Sequence, residues 1–490
     1  MITSLGVFVF WLLLFKGPGP VVLSPDEGSG AAARQPGIYY GPSGSIAVLP
    51  FQTEALPADL AFLGTAVPAV LLRQLASLDS PQVTAGTSSF FFREDRPPPE
   101  IVGQRLQVSR LLEGRFSGDG GSLELAVRIV RSRDGEELNS STWTQPRERL
   151  PELQRQLARF VAEIVNADAE LLTPLYETAE PESWEAFLQG LHLQTERTAE
   201  SGRAAQARFL RVVEAEPGFS DAQVELAAGR LAFPDGDGRS GGLRAAIEQL
   251  EQVSMQDREN GRAHAWLAWA RHRYDKDWAR AESAARSALE RLPGDPQVLN
   301  IAALALFTRG EFEEVEDLLR RSIARDPLNL ATRLRLGLAL EFRGDNEGAL
   351  SVYRTLASLN ADFPGVHAFR ARIKLLQGKA DSALAESEEE NDPFWRRYAR
   401  ILALFELDRG DEAEELLQKM IEEDGDHAAY QVAEIQARRG DADLAFHWLE
   451  KAREQNDRGL AELVGNPFFT GLAGDSRWRE LVVALGHSLD

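Results

Sequence analysis

A period of about 34 residues in the second half of the chain is the feature that most limits its fold. A polar residue followed by glycine recurs at intervals of 34, 34, 32 and 30 residues, at Gly310, Gly344, Gly378, Gly410 and Gly440. A small residue stands seven positions before each glycine: Ala303, Gly337, Ala371, Ala403 and Ala433. Small residues let two helices approach closely, and glycine adopts the left-handed conformation that ends a helix. The period therefore predicts a stack of antiparallel helical hairpins.

This pattern resembles the tetratricopeptide repeat family over residues 181–458. Prolines at the ends of second helices, Pro217, Pro293 and Pro327, belong to the same pattern. The resemblance implies an all-α solenoid of about seven or eight hairpins. It also implies that the concave groove of the solenoid holds a peptide or a partner protein. Residues 459–490 are predicted to be a capping segment that seals the last exposed hairpin.

Residues 44–170 carry a different signal, with short β-rich runs separated by helical patterns. The run at residues 45–51 ends in a proline and a phenylalanine, and apolar residues recur at helical spacing over residues 60–78. Residues 123–130 alternate apolar and polar after a glycine-rich turn, which is typical of a hairpin. The predicted order β-α-β-α-β-β-β-α indicates a small mixed-sheet α/β domain. The whole chain is therefore predicted to be α+β, with this domain preceding the solenoid.

The same stretch resembles the TolB-like amino-terminal domain that accompanies tetratricopeptide arrays in CadC-like membrane regulators and cyclase-associated proteins. The resemblance is carried by residues 46–51 (IAVLPF), Leu63-Gly64, residues 88–90 (SSF), residues 112–114 (LEG), and Asp134-Gly135 before Trp143. It implies a signalling or envelope context and no catalytic activity. The winged-helix, cyclase and kinase domains of such proteins have no counterpart in this sequence.

Residues 1–16 are predicted to be a hydrophobic anchor or signal-like segment, followed by a flexible linker over residues 17–43. Residues 2–15 contain no charge, and as a helix they would cover about 21 Å of a hydrocarbon core of roughly 30 Å. We expect membrane association through this run, although a misplaced start codon or a truncated longer protein is the alternative. The resemblance to membrane regulators favours a periplasmic location for the bulk of the chain. Lys16 on the carboxyl side favours the cytoplasm instead.

The composition argues against several kinds of chemistry. The chain has no cysteine, so disulfides, thiolate metal sites and cysteine nucleophiles are excluded. Its net charge of −22 argues against nucleic-acid binding. The Asp235–Gly238 stretch resembles a calcium loop, but Arg239 and Ala246 replace expected ligands, so we interpret it as an exposed loop. His264 and His272 lie too far apart on one helix to share a metal. We therefore expect a non-enzymatic protein without a cofactor.

Three sets of residues are candidates for partner binding. Trp266 and Trp269 lie in an aromatic cluster, although filling the core is the alternative reading. The inner helices carry Arg333, Arg335, Arg370 and Arg372. An acidic block over residues 381–426, densest at Glu388, Glu389 and Glu390, is either a solvated face or a docking surface for a basic segment.

The sequence thus favours a protein-interaction scaffold. The alternative is a sensor or effector module whose catalytic or DNA-binding part lies elsewhere. The oligomeric state and the identity of the partner stay open.

Overall fold

The computed structural model describes residues 40–167, 180–196, 198–232 and 241–487. The predicted anchor, most of the predicted linker and the calcium-like stretch lie outside these residues. Within them, a mixed sheet with its helices precedes a long array of helical hairpins. The predicted α+β class is therefore confirmed.

The first unit is a six-stranded mixed sheet in the order β3-β1-β4-β5-β6, with β2 pairing with the far end of β4. The strands are β1 (Ile46–Val48), β2 (Gln52–Ala55), β3 (Val83–Thr84), β4 (Arg110–Gly118), β5 (Ser122–Arg131) and β6 (Glu137–Pro146). β1 runs parallel to β3 and β4, whereas β4, β5 and β6 form an antiparallel meander. The predicted mixed sheet is confirmed, but the first predicted strand is shortened to β1, and β2 was not predicted.

Helices cover both faces of this sheet. They are α1 (Leu63–Leu75), the single turn α2 (Gly86–Ser89), α3 (Pro99–Leu106) and α4 (Leu150–Val165). α1 and α4 bury their apolar sides against one face, and α3 packs against the other together with Leu328 of the hairpin array. The stretch Ala58–Leu75 is long and apolar enough to cross a membrane, but two thirds of it is buried in the core. It therefore serves as a core element of the sheet unit.

Eight hairpins follow in the described residues. Their helices are α5 (Pro181–Gln194) with α6 (Ala199–Ala215), α7 (Ser220–Ala232) with α8 (Gly241–Gln256), α9 (Gly261–Ala270) with α10 (Trp278–Arg291), α11 (Pro296–Arg309) with α12 (Phe312–Arg325), α13 (Leu330–Phe342) with α14 (Asn346–Leu359), α15 (Val366–Leu376) with α16 (Ala380–Glu389), α17 (Pro393–Glu406) with α18 (Gly410–Asp424), and α19 (Ala429–Arg439) with α20 (Ala442–Glu454). Several neighbouring first helices contact each other, and the first helices form the inner layer of the array. The predicted stack of hairpins is confirmed.

The repeated glycines and small residues act as the period predicts, with one exception. Gly310, Gly344 and Gly440 have φ angles of +81°, +85° and +87°, the left-handed conformation expected between two helices. Gly410 differs because it begins α18, and Asp408 takes the left-handed position instead, at φ 56°. The predicted glycine turn is therefore wrong for this hairpin.

The sheet unit and the first hairpins share one hydrophobic core. Trp184 and Phe187 of α5 are buried among the side chains of α1 and α4, and the Trp184 indole donates to the Gln154 amide oxygen at 2.8 Å. A second contact joins the sheet unit to the fourth hairpin, where the Ser88 hydroxyl donates to Asp326 at 2.6 Å. These contacts fix the two units to each other.

The carboxyl-terminal segment does more than seal the last hairpin. It comprises two 3-10 turns, Arg458–Glu462 and Pro467–Leu472, and the helix α21 (Ser476–Ala484). α21 covers the last hairpin, with Arg477 paired to Asp443 of α20 at 2.8 Å. His487 then reaches back to the third and fourth hairpins, where its ring lies 3.9 Å from that of Trp278 and 3.0 Å from the Thr308 carbonyl oxygen. The segment therefore bridges distant hairpins across the inner side of the array.

Candidate functional site

The concave side of the later hairpins encloses part of the chain itself. Asn466 and Phe468, between and within the two 3-10 turns, lie against side chains of the inner helices α15 and α19. Both residues are buried, as are Arg372, Tyr430 and Glu434, whereas Arg438 is partly exposed. We call Asp457–Leu472 the groove segment and the inner-helix side chains around it the groove site.

Arg372 is the centre of the groove site. Its guanidinium donates to Glu341 of α13 through Nε at 3.0 Å and Nη2 at 2.9 Å. It also donates to Glu434 of α19 at 2.7 Å and to the Tyr398 hydroxyl of α17 at 2.6 Å. Arg372 is 3 % exposed, and both carboxylates are buried. One side chain thus joins the inner helices of the last four hairpins.

Carboxylates outnumber the cations around this centre. Burial raises the pKa of Glu341. Burial, together with repulsion from Glu434, raises the pKa of Glu462 to about 7. Burial alone would lower the pKa of Arg372, but attraction to Glu341 and Glu434 raises it well above its ordinary value. Arg372 is therefore charged, whereas Glu462 of the groove segment titrates near neutral pH.

The side-chain amide of Asn466 forms hydrogen bonds with several groups of the groove site. Its Nδ2 donates to the Tyr430 hydroxyl and to Glu434, each at 2.8 Å. Its Oδ1 lies 3.5 Å from Arg372 Nη2 and accepts from the Phe468 backbone N–H at 3.0 Å. Asn466 therefore caps the second 3-10 turn while its amide contacts two inner helices.

The ring of Phe468 lies beneath two guanidinium groups. The Arg372 guanidinium carbon is 4.2 Å from the ring centre, and that of Arg438 is 5.6 Å away. Phe469 packs edge-on to Tyr430 at 5.5 Å. A buried aromatic ring under guanidinium groups is a favourable contact, particularly when it is desolvated.

An open cavity of about 490 Å³ lies between the sheet unit and the inner helices of the early hairpins. Its wall combines apolar and polar side chains, including Phe91, Trp266, Gln297, Asn300, Thr332 and Arg335. That volume lies within the range of ligand-binding cavities. At its edge, Glu225 is held between Arg73 at 2.8 Å and Arg262 at 3.0 Å. Although burial opposes it, attraction to these two arginines lowers the pKa of Glu225 to about 2.

The two tryptophans are core residues. Trp266 is 5 % and Trp269 4 % exposed, and their rings meet edge-to-face at 5.6 Å. Trp269 also packs edge-to-face against Tyr274. The alternative reading, that this cluster fills the core, describes Trp269, whereas Trp266 also reaches the wall of the open cavity.

The four candidate arginines have different surroundings. Arg372 lies in the groove site, and Arg335 lines the open cavity, where burial lowers its pKa to about 10. Arg333 is buried against the Pro327 carbonyl oxygen, which it bonds, and is not offered to a partner. Arg370 is paired with Glu386 of α16 at 2.7 Å. The structure therefore does not bring these four arginines into one surface.

The acidic candidates Glu388, Glu389 and Glu390 also differ in their surroundings. Glu388 and Glu389 are exposed, but Glu390 is only 1 % exposed. Its carboxylate accepts from the backbone N–H groups of Gly365, His367 and Ala368 at 3.1–3.3 Å, at the amino terminus of α15. The placement of Glu390 on an exposed docking face was therefore wrong, because this carboxylate is needed inside the array as a helix cap.

Sequence reasoning missed Glu341, Glu434, Asn466 and Phe468. A signal was present for Glu434, which stands six positions before its turn glycine, as Arg372 does before Gly378. The corresponding positions in other repeats hold Leu304, Leu338 and Leu404. Opposite charges at an otherwise apolar repeat position indicate a buried ion pair between hairpins.

The described residues offer little chemistry for a metal. No group of three His, Asp or Glu side chains among them could hold an ion. His272 is buried and lies 2.7 Å from the Thr308 hydroxyl. Burial, with nearby Arg335, lowers the pKa of His272 to about 3. His264 lies 3.1 Å from the Arg258 carbonyl oxygen.

No protein-family model matches this chain, and no curated protein matches it either. Solved structures similar to it include one of Pseudomonas aeruginosa PilF, with 19 % identity, 41 % of this chain and 90 % of the other covered, and a TM-score of 0.34. Another is a tetratricopeptide repeat protein from Parabacteroides merdae, with 12 % identity, 62 % and 99 % covered, and a TM-score of 0.35. Yeast Tom70 matches with 16 % identity, 64 % and 68 % covered, and a TM-score of 0.37. Likenesses of this size carry no information about function.

Proposed function

We propose that this chain is a protein-interaction scaffold whose concave side holds an extended segment of a partner protein. The observation that carries the proposal is the groove segment. An irregular stretch of polypeptide is held on the inner helices by side-chain hydrogen bonds and by arginine–aromatic contact, which is the chemistry of segment recognition. The same inner layer continues past this stretch to the open cavity beside the sheet unit.

The open cavity offers a partner segment a place to bind on this side. Its wall offers the apolar surfaces of Phe91 and Trp266 beside the polar groups of Asn300, Thr332 and Arg335. Such a mixture suits a polypeptide, because apolar surface supplies affinity and a few polar groups fix the orientation. Phe91 is 38 % exposed and so presents its ring to solvent at this site.

Site-specific photocrosslinking tests this proposal on the full chain. A photoreactive benzoylphenylalanine is placed at Phe91 in the cavity, at Glu389 on the acidic face, or at Met255, which is 70 % exposed on the outer helix α8. We expect a covalent adduct with one partner from position 91 and none from position 255. The purified partner should reproduce that adduct. Adducts from positions 255 or 389 alone would overturn the concave side as the binding surface.

A signalling role is a second candidate, supported by the contacts between the two units. Ser88 and Arg73 of the sheet unit bond Asp326 and Glu225 of the array, and the open cavity is bounded by both units. A partner in that cavity would therefore touch both at once. If binding is transmitted, hydrogen exchange should slow in β3 as well as in the inner helices. Protection confined to the inner helices would favour a passive scaffold.

We also propose that residues 2–15 attach the chain to a membrane. The support is the uncharged run itself, which is long enough for a shallow anchor. Deleting residues 2–15 should move the protein from the membrane fraction to the soluble fraction. Deleting residues 28–33 in the linker is the matched control and should leave the distribution unchanged. Equal distribution of both variants would refute the anchor.

A further inference from the structure

The groove segment is bound in the manner of a ligand. Its two 3-10 turns do not form a hairpin, and Gly459, Gly465 and Gly471 interrupt it. Its polar and aromatic contacts with the inner helices include those of Asn466, Phe468 and Phe469, and its Leu460, Leu463 and Leu472 are buried in the core of the last hairpins. A stretch that differs from the repeats around it and makes specific polar and aromatic contacts has the features of a recognition motif.

The groove site selects for the identity of these side chains. An amide at position 466 can both donate to Glu434 and Tyr430 and accept from Arg372, whereas a carboxylate there would face Glu434. An aromatic ring at position 468 fills the space beneath Arg372 and Arg438. Pro467 fixes the first φ angle of the turn that Asn466 caps, which reduces the conformational freedom that the motif loses on binding.

We infer that the groove site is a recognition site for an Asn-Pro-Phe-Phe turn, that the chain's own residues 466–469 occupy it in cis, and that a partner protein carrying such a turn exchanges with them. The inference rests on the proposed function, because it takes the concave side as the binding surface. It adds the chemistry of the partner, which is an asparagine amide followed by proline and two aromatic rings.

The charges around the groove site favour replacement of the chain's own segment by a partner segment. Glu462 brings a third carboxylate beside Glu341 and Glu434, with Arg372 and Arg335 as the neighbouring cations. A partner turn that lacks an acid at the corresponding position would avoid this repulsion. The tethered segment compensates through its high local concentration, because only a few residues separate it from α20 and α21.

A peptide-binding experiment tests the inference with full-length protein. The probe is a fluorescent peptide of residues 459–475, and the control peptide carries Asn466→Ala and Phe468→Ala. The same two substitutions in the full chain weaken its own segment without changing the groove site. We expect the probe to bind this variant at least about tenfold more tightly than it binds the wild-type chain, because the tethered competitor is removed. The control peptide should bind neither protein.

Absence of probe binding to the folded variant would overturn the inference, and so would equal binding of the probe and the control peptide. If the variant does not fold, hydrogen exchange of the wild-type chain decides. Amides of Phe468 and Phe469 should then exchange by a local opening, well before those of α15 and α19. If the amides of Phe468 and Phe469 exchange only by global unfolding, as those of α15 and α19 do, the segment is part of the folded core and does not open. If two copies of the chain instead form a dimer by exchanging their groove segments, the proposal of a different partner protein would be overturned.

The two proposals fail separately. Crosslinking at Phe91 without probe binding to the groove site would leave the scaffold in place and remove the motif. Probe binding without any crosslink from Phe91 would keep the motif site and remove the open cavity as a place of binding.

Discussion

The guanidinium carbon of Arg372 lies 4.2 Å from the ring centre of Phe468, in a residue pair separated by almost 100 positions in the sequence. The same guanidinium bonds Glu341 and Glu434 on two other inner helices. Arg372 therefore does two things at once. It compensates buried carboxylates within the array, and it supplies the surface against which the groove segment packs.

Replacing Arg372 by methionine should strongly destabilise the array. Glu341 and Glu434 would stay buried without their cation, and breaking a buried ion pair in this way costs about 3–5 kcal/mol. Urea unfolding at neutral pH measures the loss. Arg477→Met is the matched control, because Arg477 is partly exposed and its removal should leave stability near the wild-type value. A triple variant that also carries Glu341→Gln and Glu434→Gln should recover part of the loss. A cost below about 1 kcal/mol for Arg372→Met would contradict the role assigned to this network.

Glu462 should make the stability of the protein fall as pH rises toward neutrality. Its pKa is raised from 4.5 to about 7, chiefly by burial and then by Glu434 and Glu341, while Arg372 and Arg335 partly offset this. The folded chain therefore holds this proton more tightly than the unfolded chain. The resulting stabilisation is complete below about pH 4.5 and is lost as pH rises through about 7.

Denaturant unfolding of wild type and Glu462→Gln between about pH 5 and about pH 8 tests this linkage. The glutamine variant should lose less stability over this interval than the wild-type chain. Glu454→Gln is the control, since Glu454 is exposed at the end of α20 and should keep the wild-type profile. Parallel profiles for wild type and Glu462→Gln would show that Glu462 does not titrate in this range.

The features that could be predicted from sequence are those with a local cause. The period of the glycines and small residues fixes where helices turn, and alternation fixes the strands of the meander. The period failed at Gly410 because Asp408 also tolerates the left-handed conformation, two residues earlier. In this hairpin, the local sequence determines which residue forms the turn, and the repeat position of the glycine does not.

The groove site could not be predicted because its partners come together only when the array curves. Asn466 bonds Arg372 and Glu434, which lie in different hairpins, and His487 reaches Thr308 of the fourth hairpin. Local patterns contain no information about such distances. Glu390 was misplaced for a related reason, because a charged residue in an acidic run gives no sign that it turns inward to cap a helix.

Gly337→Ala should destabilise the fifth hairpin although alanine is the better helix former. A Cβ at Gly337 would lie 2.1 Å from Cε1 of Tyr353, which is fully buried. Overpacking of this kind costs about 1–3 kcal/mol, against a gain of about 1 kcal/mol in helix propensity. Gly410→Ala is the control, because nothing lies within 4 Å of its Cβ position, and it should be neutral or stabilising. Thermal unfolding of both variants decides, and an unchanged melting temperature for Gly337→Ala would contradict the close approach of α13 and α14.

Glu390→Ala should cost more stability than either of the neighbouring substitutions. The Glu390 carboxylate accepts from Gly365, His367 and Ala368 at the start of α15, and loss of a helix cap costs about 0.5–2 kcal/mol. We expect a value at the upper end, because the freed N–H groups are buried or partly buried. Glu388→Ala and Glu389→Ala are exposed controls and should change little. Equal effects of all three substitutions in urea unfolding would refute the cap.

Glu388 and Glu389 should affect the rate of partner binding if the acidic face steers a basic partner toward the concave side. The double variant Glu388→Gln/Glu389→Gln keeps the fold, because both side chains are exposed and neither caps a helix. Long-range attraction acts mainly on association, so the association rate of the variant should fall while its dissociation rate changes little.

Raising the salt concentration from about 0.1 M to about 1 M should slow the wild-type association more than that of the variant, because the screening length falls from about 10 Å to about 3 Å. Stopped-flow association with the partner identified by crosslinking measures both rates. Identical salt dependence for variant and wild type would mean that this face is only solvated, and the open cavity and the groove site would then account for recognition without electrostatic steering.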